Sequence, residues 1–430
     1  MLITIKRPAW LLGLSVFFIF ITWQTYGRVS SNWSEHGQFF NSFFPGSGAF
    51  SSKTHDVVFS SSTINHEYFM IDFGDQPARN PNIIPHPLLE ETWIVVAQLI
   101  PESQYYAELV CNAMFVNDTL QCINHAVTLP IAPTYGDKCV DDLAYITLNK
   151  GPHDARVFHG PNSPYTIYGS NSKFTCFGQW IQDFRSLIEW EHEYLHNDDF
   201  VQATELQRPP PYHDFEKNWF LFWSRDDEVY VHYDVVPRRV FAKLEFDGSV
   251  GPDLAVATQG HDEKCIEKYM PKIGPQLESI HQATNSLSIS MCRRNDRACT
   301  PDESNTFIFT IFQHKTYFNF HPIYEPYVML FEQIAPFAIH AMSKRPFWIH
   351  GRKGADQDVH QAPTSESDEL QPPVVQGEMF YVTSMSWKTR GQKYHGYIDD
   401  VLFVAFGIED EKTGGIDVVA GDLLHTLGTC

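Results

Sequence analysis

The sequence predicts an all-β chain. Short runs of β-branched and aromatic residues follow one another from His66 onward, Pro, Gly and Asn separate them, and helical periodicity is scarce. The runs Trp93–Ala97, Trp219–Trp223, Val229–Tyr233, Phe307–Phe312 and Val401–Phe406 have the length and composition of strands. Only Phe184–Leu195 and Glu263–Tyr269 read as short helices.

The first element lies ahead of this region. Lys6-Arg7 precedes an apolar run from Pro8 to Trp23, and Gln24-Thr25-Tyr26-Gly27 offers no small-x-small cleavage site. Positive charge before the run favours a cytosolic N-terminus. The expected organisation is a cytosolic tail over 1–7, a signal-anchor helix over 8–27, a Ser-, Gly-, Asn- and Phe-rich stem over 28–65, and a lumenal β domain over 66–430. A type II membrane protein of the secretory pathway, in the Golgi, follows from this reading. Secretion after signal cleavage is the alternative.

The rest of the composition agrees with an oxidising lumen. All eight cysteines follow the apolar run, and Cys111–Cys122 and Cys292–Cys299 would each close a short polar loop. Asn32-Trp33-Ser34 and Asn117-Asp118-Thr119 are glycosylation sequons. Fifty-two acidic residues against 31 basic ones give a net charge of −21, which argues against a nucleic-acid partner. No His/Cys cluster has zinc spacing, so neither a metal nor a cofactor is expected.

Within the β region a loose repeat pairs a polar opening with an apolar strand. The openings are Arg79-Asn80-Pro81, Asp154-Ala155-Arg156, Glu216-Lys217-Asn218 and Thr284-Asn285-Ser286, and a last unit runs from Met379 to Asp410. This matches radial repetition of four-stranded sheets, a β-propeller counted at five blades, with the openings converging on the axis. Two polar stretches, Glu191–His213 and Arg352–Gln376, read as loops between blades.

The openings collect acids, amides and cations: Arg79, Asn80, Asp154, Arg156, Glu216, Lys217, Asp399, Asp400 and Asp410. Such a set suits glycosyl transfer, which needs a carboxylic acid at an oxygen and groups that hold hydroxyls and a leaving group. Arg also suits bidentate phosphate binding. In an extended chain Asp154 and Arg156 share a face, so a plain salt bridge is the competing reading. For Asp399-Asp400 that competing reading is a turn cap, and Glu325 and Glu332 read as satisfied buried acids.

Gly151-Pro152-His153-Asp154-Ala155-Arg156-Val157-Phe158 resembles the Gly-Pro-x-Asp-Pro-Arg-x-x opening of a five-bladed propeller family of β-mannoside phosphorylases, hydrolases and related β-mannosyltransferases. Arg79-Asn80-Pro81, Glu216-Lys217-Asn218, Phe406-Gly407-Ile408-Glu409-Asp410 and Ile416–Leu424 resemble further segments of that family in its order. The resemblance implies Asp154 as general acid/base. It sets Arg156 and Lys217 at a phosphate or sugar-phosphate leaving group, and Arg79, Asn80 and Asp410 at sugar hydroxyls. Ala155 stands where the family has Pro, and Glu216 where it has Asp. With the expected anchor, the implied activity is an inverting glycosyltransferase of β-mannosyl-transfer type. Its partners would be a nucleotide-sugar or sugar-phosphate donor and a glycan acceptor. A hydrolase or phosphorylase is the nearest alternative, and a non-catalytic carbohydrate-binding propeller the second.

Overall fold

The computed structural model describes residues 54–100, 105–190, 199–274, 278–318, 321–354 and 377–430. The expected signal-anchor, most of the expected stem, the Asn32 sequon and most of the Arg352–Gln376 loop lie outside these residues. Among the described residues no helix is long and apolar enough to cross a membrane.

The molecule is mostly β, with few helices. Strands His153–His159, Pro164–Asn171, Phe177–Asp183 and Thr204–Glu205 form an antiparallel four-stranded sheet. Strands Phe220–Trp223, Val229–Asp234 and Val240–Lys243 form a three-stranded one. The long strands Ser279–Ser290, Thr306–Phe318 and His321–Glu332 are the middle of a six-stranded sheet that ends on the C-terminal strand Leu427–Thr429. The largest sheet joins two groups of four. Phe380–Trp387, Val401–Ile408, Lys412–Val419 and Phe69–Asp72 meet the second group where Phe69–Asp72 runs parallel to Thr119–Cys122. Glu108–Val116, Trp93–Leu99 and Ala78–Pro85 follow, and the short Val127–Thr128 pairs beside Glu108–Val116 as the ninth strand. An early strand thereby ties the end of the chain to its beginning.

The expected strand runs all hold strands, several longer than their apolar run, although Trp219 falls outside Phe220–Trp223. Thr306–Phe318 extends six residues past Phe312 because it remains hydrogen-bonded to His321–Glu332 along its length. Val401–Ile408 is buried at all but its first residue, which explains why its apolar run lacks alternation. Between Val116 and Thr119, Asn117 and Asp118 both hold positive φ (47° and 58°), as a two-residue hairpin turn requires. The sequon Asn117 is exposed on that turn.

Two helix expectations change. Gln259–Tyr269 is α-helical, four residues longer at its start than expected, while Phe184–Leu195 yields only a 3-10 turn at Phe184–Ser186 within the described residues. There the Asp183 carboxylate accepts from Arg185 N and also pairs with the Arg185 guanidinium, which favours a tight turn over a longer helix. Disulfides Cys111–Cys122 and Cys292–Cys299 form as expected, joined by Cys139–Cys176 and Cys265–Cys430.

Five strands lie innermost in their groups: Ala78–Pro85, His153–His159, Phe220–Trp223, Ser279–Ser290 and Phe380–Trp387. The last packs on both Ala78–Pro85 and Ser279–Ser290; these in turn pack on His153–His159 and Phe220–Trp223. Buried amides stitch the neighbours together. Asn82 donates to Ala155 O (2.7 Å) and accepts from Val157 N (3.1 Å). Asn285 does the same to Met385, donating to its carbonyl and accepting from its N–H, both at 3.0 Å. Gln313 binds both polar atoms of the Val382 backbone. Each amide satisfies backbone groups of a strand in a neighbouring sheet, so these polar atoms are not orphaned where the groups meet.

Candidate active site

The innermost strands break register where the polar openings fall. Pairing shifts between Arg79 and Asn82, between His153 and Arg156, between Gln282 and Ser286, and between Val382 and Ser384. Asn80 and Asp154 sit inside the first two irregularities with φ of 54° and 51°, and Asn218, just before its strand, has φ of 62°. Asn and Asp tolerate this left-handed conformation better than other side-chain-bearing residues. The extra residue of a bulge re-aims its side chain, so Asn80 and Asp154 point away from the ladders they interrupt.

They converge on one another. Asn80 Nδ2 donates to Asp154 Oδ1 at 2.7 Å, while Asp154 N donates to Gln98 Oε1 at 3.3 Å. Asn80 is buried and Asp154 is exposed, so the carboxylate is held from beneath and open above. Gly407 backs this pair: a Cβ there would lie 2.7 Å from Asn80 Oδ1, so a side chain at 407 would push on the amide that holds Asp154. Below, Glu108 is wholly buried and accepts from Ala155 N at 3.1 Å. Burial raises its carboxyl well above the usual carboxylate range, and the charge of Asp154 adds to the effect, against the pull of Arg79 and Arg156.

Cations surround the acid. The Arg156 guanidinium is buried and anchored, donating to Thr383 O at 2.9 Å, Tyr381 OH at 3.2 Å and Asn218 Oδ1 at 3.4 Å. It therefore ties its own strand to Phe380–Trp387 and to the segment just before Phe220–Trp223. Lys217 is exposed at the rim and lines, with Asp154, Arg156, Asn218, Gln282 and Asn285, a cavity of ≈ 40 Å³. That space suits a few waters and is too small for a larger ligand. Asp410 is exposed opposite; partial desolvation pushes its carboxyl up, Asp154 and Glu409 push the same way, and Arg79 and Lys315 oppose them.

Several members carry no sequence signal of their own. Lys315 lies mid-strand, its ammonium lowered by partial burial and by Lys217, with Asp410 opposing. It approaches the Tyr324 ring at 5.6 Å, and Tyr324 packs edge-on against Tyr381 at 4.8 Å. His281 and His153 are both pushed down to about 4, chiefly by burial; Lys315, Lys217 and Arg156 add to this at His281, and both rings are neutral at pH 7. Only a Lys-x-Tyr alternation in an otherwise ordinary strand hints that Lys315 faces inward.

Three expected residues do not join the group. Glu216 is buried and turned into the 208–216 loop, accepting from His213 N at 2.9 Å and pairing with Arg208 at 3.5 Å. Lys217, its neighbour on an extended segment, consequently takes the site face. Asp399 and Asp400 lie at the opposite end of Val401–Ile408 from Asp410, a strand that spans roughly 26 Å. Asp400 pairs with Arg294 and accepts from Tyr397 N and Gln392, while Asp399 accepts from Arg294 N. Asp400 borders a groove of ≈ 910 Å³ in which Arg294, Arg390 and Lys393 are all engaged by protein partners. Glu409, beside Asp410, pairs with His321 and caps Met379 N. No group of three or more His, Cys, Asp or Glu side chains among the described residues is arranged to hold a metal ion.

No family model and no curated protein matches the chain. Among solved structures it is similar to a β-1,2-mannobiose phosphorylase from Listeria innocua, at 9% identity and a TM-score of 0.42, over 86% of this chain and 96% of that one. A mannose phosphorylase from Leishmania mexicana, bound to phosphate, aligns at 11% identity and 0.40 over 85% and 92%. A GDP-Man-dependent mannosyltransferase from the same organism aligns at 10% and 0.37 over 84% and 91%.

Proposed function

We propose that the chain is a glycan-active enzyme built as a five-bladed propeller, with the innermost strands lining the axis. We assign it as an inverting glycosyltransferase of β-mannosyl-transfer type. The observation that carries this reading is the Asp154 carboxylate, open to solvent yet held by Asn80, with Lys217 on the same cavity and Lys315 coupled to Lys217 and Asp410. A non-catalytic scaffold has no need to keep an acid exposed at a strained backbone position.

In this mechanism Asp154 removes the proton from the acceptor hydroxyl as that oxygen attacks the anomeric carbon from the face opposite the leaving group. The bond from the anomeric carbon to the donor phosphate breaks in the same displacement, and the phosphate leaves with the electron pair. Lys217 and Lys315 neutralise the departing charge, and Arg156 holds the strands that carry Asn218 and Thr383 in place. Arg79 and Asp410 hold sugar hydroxyls. The donor is a nucleotide-sugar or sugar phosphate. The membrane anchor, the Golgi location and the Asn32 and Asn117 glycans are part of the same proposal.

The test is turnover of mannosyl, glucosyl and galactosyl donors, with and without phosphate, by the full-length chain. Product with inverted configuration from a phosphate-linked donor supports transfer. Release of free sugar, or product only with inorganic phosphate, assigns a hydrolase or phosphorylase instead.

A further inference from the structure

Beside the candidate acid the surface carries aromatic rings that are exposed but held. Tyr105 is 66% exposed and Tyr135 68%. Their rings flank Lys150, whose Nζ lies 6.0 Å and 5.9 Å from the two centroids. Lys150 is four residues before Asp154 in the same segment, within roughly 14 Å along an extended chain. Tyr106 continues the line inward, its ring tilted 33° against His153 at 3.8 Å, and His153 lines the cavity that contains Asp154. On the far side Phe177, also a cavity wall, contacts both His153 and the exposed Phe215.

These rings sit on fixed backbone. Tyr106 N donates to Lys150 O at 2.7 Å, and Gly151 approaches so closely that a Cβ would lie 2.0 Å from Tyr106 O. On the other loop Thr134 Oγ1 donates at 2.7 Å to the strand carrying Ser170 and Asn171. A Cβ at Gly136 would lie 2.0 Å from Ser172 O, and Cys139–Cys176 closes the loop a few residues later. Tyr135 is therefore pinned on both sides while its ring faces water. Exposed rings carried on rigid backbone lose little entropy on binding, which suits them to stacking on a ligand.

We propose that Tyr105, Tyr135 and Lys150 form a stacking platform for the sugar units of an oligosaccharide acceptor lying beyond the unit at Asp154. The apolar C–H faces of pyranose rings match tyrosine faces, and the Lys150 ammonium and tyrosine hydroxyls match their hydroxyl edges. This rests on the reading of Asp154 as the reacting site, and it adds that the acceptor is a chain of sugars rather than a single one.

The experiment is binding of mannose-, glucose- and galactose-based oligosaccharides of increasing length to the full-length chain, compared with Tyr105→Ala, Tyr135→Ala and Tyr135→Trp. Affinity is expected to rise with length for one series. Each alanine variant should lose that rise by about fivefold to tenfold while leaving monosaccharide binding unchanged, and Tyr135→Trp should retain it. Affinity that does not depend on length, or alanine variants that bind like the parent, overturns the platform and leaves the exposed rings to a protein partner. Length-dependent binding without turnover of any donor would sink the enzymatic reading and keep the platform. Turnover without length dependence would do the reverse.

Discussion

Asn80 Nδ2 lies 2.7 Å from Asp154 Oδ1, and both residues hold left-handed backbone inside an irregularity of an innermost strand. Two neighbouring sheets thus offer matched bulges, and the side chain of one orients the side chain of the other. Asn80→Ala should leave Asp154 in place as a group but free to rotate. Turnover is expected to fall by roughly tenfold to a hundredfold, with donor KM little changed. Steady-state kinetics of the variant provide the check, and an unaltered turnover number removes Asn80 from the site.

Gly407→Ala tests the same pair from behind. The added methyl lies 2.7 Å from Asn80 Oδ1, so the amide must shift before the backbone does. The two substitutions act through one contact. A double-mutant cycle with Asn80→Ala should be strongly non-additive, the double variant being about as impaired as Asn80→Ala alone. Additive losses would mean that Gly407 serves only its own strand.

Asn82 has a different task. Its amide joins Ala155 O and Val157 N across two sheets, at a position buried from solvent. Asn82→Ala leaves both backbone groups without that partner and should destabilise the fold by about 1–3 kcal/mol. Denaturant unfolding reads this directly, and wild-type stability would show that water replaces the amide at no cost.

Stability should fall on acidification. Burial pushes His159 down to about 3, with Lys393 adding, and holds His153 and His281 at about 4. The unfolded chain takes up these protons near an ordinary pKa of about 6.5, before the folded chain does. Folded-state stability is therefore complete above about pH 6.5 and declines as pH falls toward the depressed values. His159→Gln should remove about one proton from the unfolding linkage in that window. Thermal unfolding across pH, with an unchanged slope in the variant, would contradict the assignment.

The strands were legible in the sequence because continuous runs such as Val401–Ile408 are buried on both faces. Asp154, Asn80, Lys217 and Asp410 were legible as polar residues at strand openings. The bulges that bring Asn80 to Asp154 were not, since a register shift leaves no mark beyond an Asn or Asp able to take positive φ. Lys315 and Tyr324 were missed because they lie inside long strands, where an inward-facing polar side chain has the same period as a solvated one. Asp399-Asp400 read as site acids because one unit of sequence holds them and Asp410, while a full strand length separates them in space. The turn cap weighed for one of that pair matches the Asp400 contact with Tyr397 N.

The most direct measurement is sugar transfer from phosphate-linked donors by the wild-type chain and by Asp154→Asn. Asn holds left-handed backbone as readily as Asp, so the variant should fold normally. Removing the acid/base should lower turnover by about a hundredfold to ten-thousandfold. Donor-dependent product that disappears in the variant is the expected result; equal activity in both proteins would contradict the assignment of Asp154 as the reacting group.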